Sequence, residues 1–401
     1  MEKEKVLFRN LIKNEEKRIR GKLYCAPEDF IVREIPLDRS FIGDYLYDTV
    51  THPIGKEDKF VICTLVKKNI SDFNVIENLS NFLGINYDDI GYHGLKDTFG
   101  ITIQEISFPY QVYLDNLDRL KNRNFKGFFL KNARFNNAPS KLREIWGNHF
   151  VIRVNGVEGG KEEIERRLGK FSRENGRFPN FYGHQRFGVR QNNHRIGKEL
   201  IKRNFEEALK IFCVESNNET KEISNIRKNL KKSWGNWREG YDIIKNMEYF
   251  KQEKKILQHL ISKETDYIGA INKINLATFF VNSYGSYLFN IILKNLIDSK
   301  IEPDYLPAPG YAINLNNDQV KKEYLKVLNK EGIKLEDFKN GNYKFLSYQG
   351  RIKEAFYKIE DFDFRVENSS IVLEFSLPMG VYANLFLEHI FENKSKKSKI
   401  E

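Results

Sequence analysis

Hydrophobic and polar positions change period several times along this chain, and each change marks an element. Phe30, Val32 and Glu34 alternate with Ile31, Arg33 and Ile35, so a turn over 25–29 and then a strand to Pro36 are expected. Residues 59–67 read as a second strand, Phe-Val-Ile-Cys-Thr-Leu-Val between two lysines. The period then lengthens: Val75, Ile76, Leu79, Phe82 and Leu83 repeat at helical spacing, with Ser71 placed as N-cap and Gly84 as the stop. After Gly100 the alternation returns, Ile101 and Ile103 against Thr102 and Gln104, which points the two polar side chains together toward one face. Residues 150–154 read as another strand, and 162–171 as a helix with Ile164, Leu168 and Phe171 on one stripe.

Beyond that helix the texture changes. Over about 176–349 the helical patterns are longer and lysine-rich, as in 194–212 and 276–298, and 219–240 is strongly basic and polar. Strand character returns after Gly350, in 370–375, followed by Leu377-Pro378-Met379-Gly380 and a last helix over 381–391. The pattern predicts an α+β protein whose β-rich core, 1–175 and 351–401, is split by an inserted, mostly helical domain, 176–350. The tail 394–401 alternates lysine with serine and is expected to be disordered and to touch phosphates weakly.

Composition narrows the function. The 401 residues suffice for two domains, or for one core with a large insertion. A formal charge of +11 and a pI near 9.2 favour a polyanionic partner. With no run of about 18 apolar residues and a mean hydropathy of −0.57, no transmembrane segment is expected. Met1-Glu2-Lys3-Glu4-Lys5-Val6 has no secretory h-region, so a cytoplasmic location is expected. Cys25, Cys63 and Cys213 form no Cys-x-x-Cys pair and read as reduced thiols. The histidines at 52, 93, 149, 184, 194, 259 and 389 have no metal-ligand spacing, so no metal is expected. Gly156-Val157-Glu158-Gly159-Gly160-Lys161 fails the spacing of a phosphate loop, with Glu162 where Ser or Thr would bind magnesium, and a dinucleotide fingerprint is absent. No cofactor is implied. Of the 31 Phe and 20 Tyr, several rings, among them Phe30, Phe150, Phe181, Tyr182 and Phe187, stand beside Lys, Arg, Asn or Gly. Each such ring either packs in a core or receives an unstacked base.

The remaining candidate for chemistry is Gly94-Leu95-Lys96-Asp97-Thr98-Phe99-Gly100-Ile101-Thr102-Ile103-Gln104, which sets one carboxylate, Asp97, between two glycines at the mouth of a strand. With Pro27-Glu28-Asp29-Phe30-Ile31-Val32-Arg33-Glu34, Gly147-Asn148-His149-Phe150 and Pro179-Asn180-Phe181-Tyr182-Gly183-His184-Gln185-Arg186-Phe187-Gly188, it resembles the signature blocks of the TruD family of tRNA pseudouridine synthases, in their order and spacing. The likeness continues through Ser286-Tyr287-Leu288-Phe289-Asn290, Gly350-Arg351 and 375–383.

The resemblance implies a pseudouridine-synthase core of mixed, largely antiparallel sheet carrying a TruD-specific inserted domain. It implies an isomerase that detaches uracil from ribose, turns it over and rejoins it through C5 without metal, nucleotide or redox cofactor, with uridine 13 of the dihydrouridine arm as the implied target. The partner implied is tRNA; no membrane or protein partner is indicated, and a monomer is expected. The family's catalytic aspartate falls on Asp97. Its carboxylate would stabilise oxocarbenium-like charge, add to the sugar, or accept a proton. Phe150 would stack on the flipped base, with Asn148 in polar contact and Phe30 lining the same site. Lys96 is expected to contact either an RNA phosphate or another carboxylate. Gln185 and Arg186 would bind the RNA backbone or pin the inserted domain.

The chain departs from the family pattern at Tyr24, where a basic residue is frequent, at Gly100 for alanine, at Gly285 for glutamine, and at Val381 and Asn384 for Ser and Thr. The competing class is a non-catalytic tRNA-binding protein or RNA chaperone, which has no need of an acid in a phosphate-rich site.

Overall fold

A computed structural model describes residues 18–39, 59–121, 123–141, 144–173 and 177–393. The tail at 394–401 lies outside them. The described residues divide into two compact units, one gathering those of 18–178 and 358–393, the other 179–357.

The first unit is built on one large sheet whose main path runs Glu360–Glu367, Ser370–Pro378, Ile145–Glu158, Phe30–Pro36, Ile101–Pro109, Phe60–Lys68, Phe128–Asn136. Every neighbouring pair on this path is antiparallel except Phe30–Pro36 with Ile101–Pro109, so the sheet is mixed and largely antiparallel, as the family resemblance implied. A parallel pair needs a crossover, and the chain between these two strands includes Phe60–Lys68, the helix Asp72–Leu83 and the Asp97 segment.

Register decides which side chains share a face. Lys67 pairs with Thr102, Thr102 with Val32, Val32 with Phe150 and Phe150 with Phe375, giving one row across five strands. Glu34 stands opposite Asn148, and Leu65 opposite Gln104. Because strand side chains alternate, Phe30, Glu34, Lys67, Thr102, Gln104, Asn148 and Phe150 all occupy that one face.

The helix Asp72–Leu83 forms where the periodicity placed it. Ser71 accepts a hydrogen bond from the amide of Asn74, and Gly84 closes the helix in the left-handed region at φ 71°. Its Val75, Ile76, Leu79 and Leu83 pack on Val61, Cys63, Leu65, Ile106 and Phe108 of the shared face. Each fully buried side chain of this kind contributes about 1.5–3 kcal/mol.

The second unit is mostly helical. The pattern over 194–212 folds as two helices, Asn193–Ile201 and Phe205–Val214, broken where Arg203 takes φ 64°. The apolar stripe continues through the break, which is why periodicity alone misses it. Ala277–Asp298 is the long helix, and Tyr305–Ala308 pairs antiparallel with Arg351–Glu354 inside the same unit. Among the described residues no single helix is long and apolar enough to cross a membrane; Tyr267–Lys273 and Ala277–Asp298 reach that composition only together, across a 93° bend.

Candidate active site

Asp97 lies in a segment without regular structure between Tyr92 and Ile101, so its position depends on what holds the main chain around it. Lys67 does most of this. It follows Val61, Cys63 and Leu65 on the core-facing side of its strand and is 1% exposed. Its ammonium donates to the carbonyl oxygens of Ile70 at 2.9 Å and Asp97 at 2.8 Å, and lies 3.5 Å from the carboxylate of Asp72. Asp72 also accepts from Nε2 of Gln104 at 2.9 Å and from the amide of Lys96. Asn69 completes the frame: its Oδ1 accepts from the amide of Gly100, and its own amide donates to the Gly100 carbonyl, both at 3.1 Å.

Gly100 is required by geometry. Its φ is +103°, and a Cβ there would come within 2.4 Å of the carbonyl oxygen of Phe30. An alanine would be strained and would clash, so this departure belongs to the way the Asp97 segment crosses the Phe30 strand.

Of the two destinations open to Lys96, its ammonium takes the carboxylate: it lies 2.7 Å from Oε1 of Glu34, a fully buried residue on the shared face. Burial raises the pKa of Glu34, and Lys96 opposes that rise. Two ion pairs, Lys67 with Asp72 and Lys96 with Glu34, therefore lie around Asp97. Asp97 itself is exposed, yet protein crowds its carboxyl enough for lost hydration to raise its pKa; Lys67, its own amide and Lys96 pull it back down. The result is a solvent-reached carboxylate between two lysines.

Phe30 and Phe150 are buried, 4% and 6% exposed, with ring centroids 6.3 Å apart, and Phe150 stacks on Phe375 at 5.3 Å and 22°. Both rings thus belong to the sheet core while standing on the Asp97 side of it. Phe181 and Phe187, named with them from sequence, are almost fully buried in the helical unit, which leaves them no face for a base. Asn148 is half-buried, and its Oδ1 has no hydrogen-bond partner; Thr102 Oγ1 and Gln104 Oε1 on the same face have none either, among the described residues. Lys96, Asp97, Phe30, Asn148 and Phe150 are thus gathered at one side of one sheet.

Two departures from the family pattern meet here. The hydroxyl of Tyr24 donates to Oδ1 of Asn384 at 2.5 Å, and the Tyr24 ring stands edge-on to Phe30 at 5.1 Å and to Phe99 at 5.9 Å. Burial, then the charges of Asp97 and Glu388, push the phenol pKa well up, so Tyr24 is a neutral hydroxyl beside the carboxylate.

On the opposite face His149 lies 3.0 Å from Oγ of Ser376 and 3.1 Å from Oε1 of Glu374, the outline of a nucleophile relay. Ser376 is fully buried, so no substrate reaches it, and the cluster is structural. Lys67, Asp72, Asn69 and Glu34 were not singled out as site residues from sequence. A signal existed at Lys67, a lysine in phase with Val61, Cys63 and Leu65.

The family model described as "tRNA pseudouridine synthase D (TruD)" matches residues 9–305 and 303–390. A probable tRNA pseudouridine synthase D 1 of Methanocaldococcus jannaschii is 28% identical over 379 residues, covering 92% of this chain and 94% of that protein. A probable tRNA pseudouridine synthase D of Methanopyrus kandleri is 30% identical over 347 residues, covering 81% of this chain and 84% of its own. The crystal structure of a putative tRNA pseudouridine synthase D from Methanosarcina mazei superposes with a TM-score of 0.77 at 26% identity, covering 94% of this chain and 95% of that one. Fold and matches define an isomerase built on a pseudouridine-synthase core. The chain belongs to the TruD family of tRNA pseudouridine synthases.

Proposed function

We propose that this chain converts a uridine of tRNA to pseudouridine, with Asp97 as the catalytic carboxylate and uridine 13 of the dihydrouridine arm as the target. The observation that carries the reading is the exposed Asp97 carboxylate, flanked by Lys67 and Lys96 over a sheet face where Asn148, Thr102 and Gln104 keep unpartnered acceptors.

Breaking the bond from N1 to C1′ develops positive charge on the ribose, and only an ionised acid stabilises it, adds to it, or takes up a proton as the base rearranges. Burial raises the Asp97 pKa, and Lys67 and Lys96 favour the ionised acid against that rise. A flipped uracil needs replacement for its lost stacking and a partner for N3–H. Phe30 and Phe150 border the place it would take, and Oδ1 of Asn148 is an acceptor suited to N3–H. Because Phe150 already stacks on Phe375 and is only 6% exposed, the base would meet no more than the uncovered part of its edge. Lys96 acts through Glu34 and Asp97, orienting the acid from below.

The test is release of tritium from tRNA labelled at uridine C5, with chelator present and no cofactor added. Wild type should release it and Asp97→Asn should not; equal rates would overturn the role of Asp97, and tight tRNA binding without release by wild type would favour the non-catalytic binder. Sequencing the modified tRNA reads the position.

A further inference from the structure

Unit 179–357 contains a second constellation, built on Tyr182. The main chain of Tyr182 is clamped by the fully buried Asn290, whose Oδ1 accepts from its amide at 2.8 Å and whose Nδ2 donates to its carbonyl at 2.9 Å. Around the ring stand two cations, the Lys353 ammonium 4.2 Å and the Arg186 guanidinium 5.8 Å from its centroid. Lys353 donates to the carbonyl of Asn180 at 2.7 Å, and Nε of Arg186 donates to Oγ of Ser286 at 3.1 Å. Arg351, two residues before Lys353 on the Arg351–Glu354 strand, points to the same side of it and is exposed.

Among the described residues, no carboxylate pairs with any of the three. Every other deeply placed cation described above has one: Lys67 has Asp72, and Lys96 has Glu34. Burial and then the neighbouring charges of Arg351 and Arg186 push the Lys353 ammonium down to about 7, with no acid to offset them. The carbonyls, the hydroxyl and the Tyr182 face orient the cations without neutralising them. Three convergent cations on a rigid frame, with guanidinium N–H groups left over, are the chemistry of an oxyanion site.

We propose that Arg186, Arg351 and Lys353 bind a phosphate of the RNA backbone. This rests on the reading of the chain as a tRNA enzyme. Phosphate contacts position a nucleic acid without reading its sequence, so the site sets how the tRNA lies on residues 179–357.

The experiment measures tRNA affinity across a potassium chloride series, with tritium release at saturating tRNA recorded in parallel. At about 0.1 M salt, Arg351→Gln and Lys353→Met should each bind about tenfold more weakly, and the slope of log Kd against log salt should shrink by about 0.7–0.9. Lys353→Arg should keep the wild-type slope. Arg351→Gln changes an exposed side chain, so its folding is safe. Release at saturation should stay at the wild-type rate for all three. Unchanged slopes in both neutral variants would overturn the site, as would loss of affinity at every salt concentration with the slope intact. Absence of release from wild type would sink the catalytic reading and leave the binding result standing.

Discussion

In residues 179–357 Arg227 lies buried between Glu219 and Glu253: Nε donates to both oxygens of Glu219 at 3.0 and 2.8 Å, and one terminal nitrogen donates to Glu253 at 2.9 Å and to the Cys213 carbonyl at 2.8 Å. Its guanidinium also stands 4.9 Å from the Phe250 ring centroid, and Tyr249 donates to Glu219. In the sheet unit, Lys67 and Lys96 meet Asp72 and Glu34 at similar depth, yet Asn148, Thr102 and Gln104 on the same face keep acceptors with nothing to accept. The first cluster is closed and the second open. Buried polar groups are normally satisfied because leaving one unpaired costs about 1–3 kcal/mol. Of the open acceptors only Asn148 is half-buried and within reach of an arriving group, since Thr102 and Gln104 are as buried as Ser376.

Removing the acid separates the two most strongly. Asp97→Asn should lower the rate of tritium release by about 10⁴-fold, the scale on which enzymes lose a catalytic carboxylate. Stability should not fall. A carboxyl whose folded pKa is raised is less favourable to fold in its charged form than when protonated, so at neutral pH Asn at this position is neutral or mildly stabilising. A large drop in melting temperature would class Asp97 with Arg227. In wild type, release should decline as pH falls through a value above the ordinary carboxylate pKa of about 3.9, because only the ionised acid works.

Arg227→Met tests the closed side. It leaves Glu219 and Glu253 buried without their cation, and breaking such a pair costs about 3–5 kcal/mol. Urea unfolding should show that loss, while the folded fraction keeps the wild-type rate of release. A fall in rate without a fall in stability would make the Arg227 cluster functional.

Histidine 194 gives a smaller, pH-dependent effect in the same helical unit. Burial, then Arg195 and Lys198, lower its pKa to about 3, and its ring stacks on Tyr287 at 4.5 Å with Phe187 edge-on at 5.5 Å. The unfolded chain protonates near 6.5 and the folded one far lower, so stability is lost as pH falls below about 6.5. At pH 5 the loss is about 2 kcal/mol, and His194→Phe should remove that part of the pH dependence as read by urea unfolding. A variant whose stability falls as steeply as wild type between pH 7 and 5 would show that His194 is not buried in its neutral form.

The sheet was largely legible because its strands alternate and its helix is capped by Ser71 and Gly84, both local signals. Asp97 was singled out from its glycines and the resemblance, and the structure leaves it exposed. The support beneath it was not, since Lys67, Asn69, Asp72 and Glu34 converge on residues 96–100 only through strand register and a crossover. Lys96 could not be assigned for the same reason: its partner lies 62 positions earlier in the chain, across the parallel pair. For Phe181 and Phe187 the sequence left core packing and base stacking open because polar neighbours in sequence say nothing about packing, and both sit in a helical core.

Asn148 provides the finest test of the difference between the clusters. Its Oδ1 is buried and unpartnered, so truncation removes no hydrogen bond from that atom in the free protein. Asn148→Ala should therefore stay within about 0.5 kcal/mol of wild-type stability. If the acceptor serves the flipped base, the loss appears only with substrate, as a fall of about tenfold in kcat/KM, the worth of one hydrogen bond in a dry site. Glu253→Gln in the closed cluster should do the reverse, weakening the fold while leaving kcat/KM alone, because its partner Arg227 is already inside the protein. A matching stability loss in Asn148→Ala, with kcat/KM intact, would show that the open acceptors are packing defects and that the site for uracil lies elsewhere on the face.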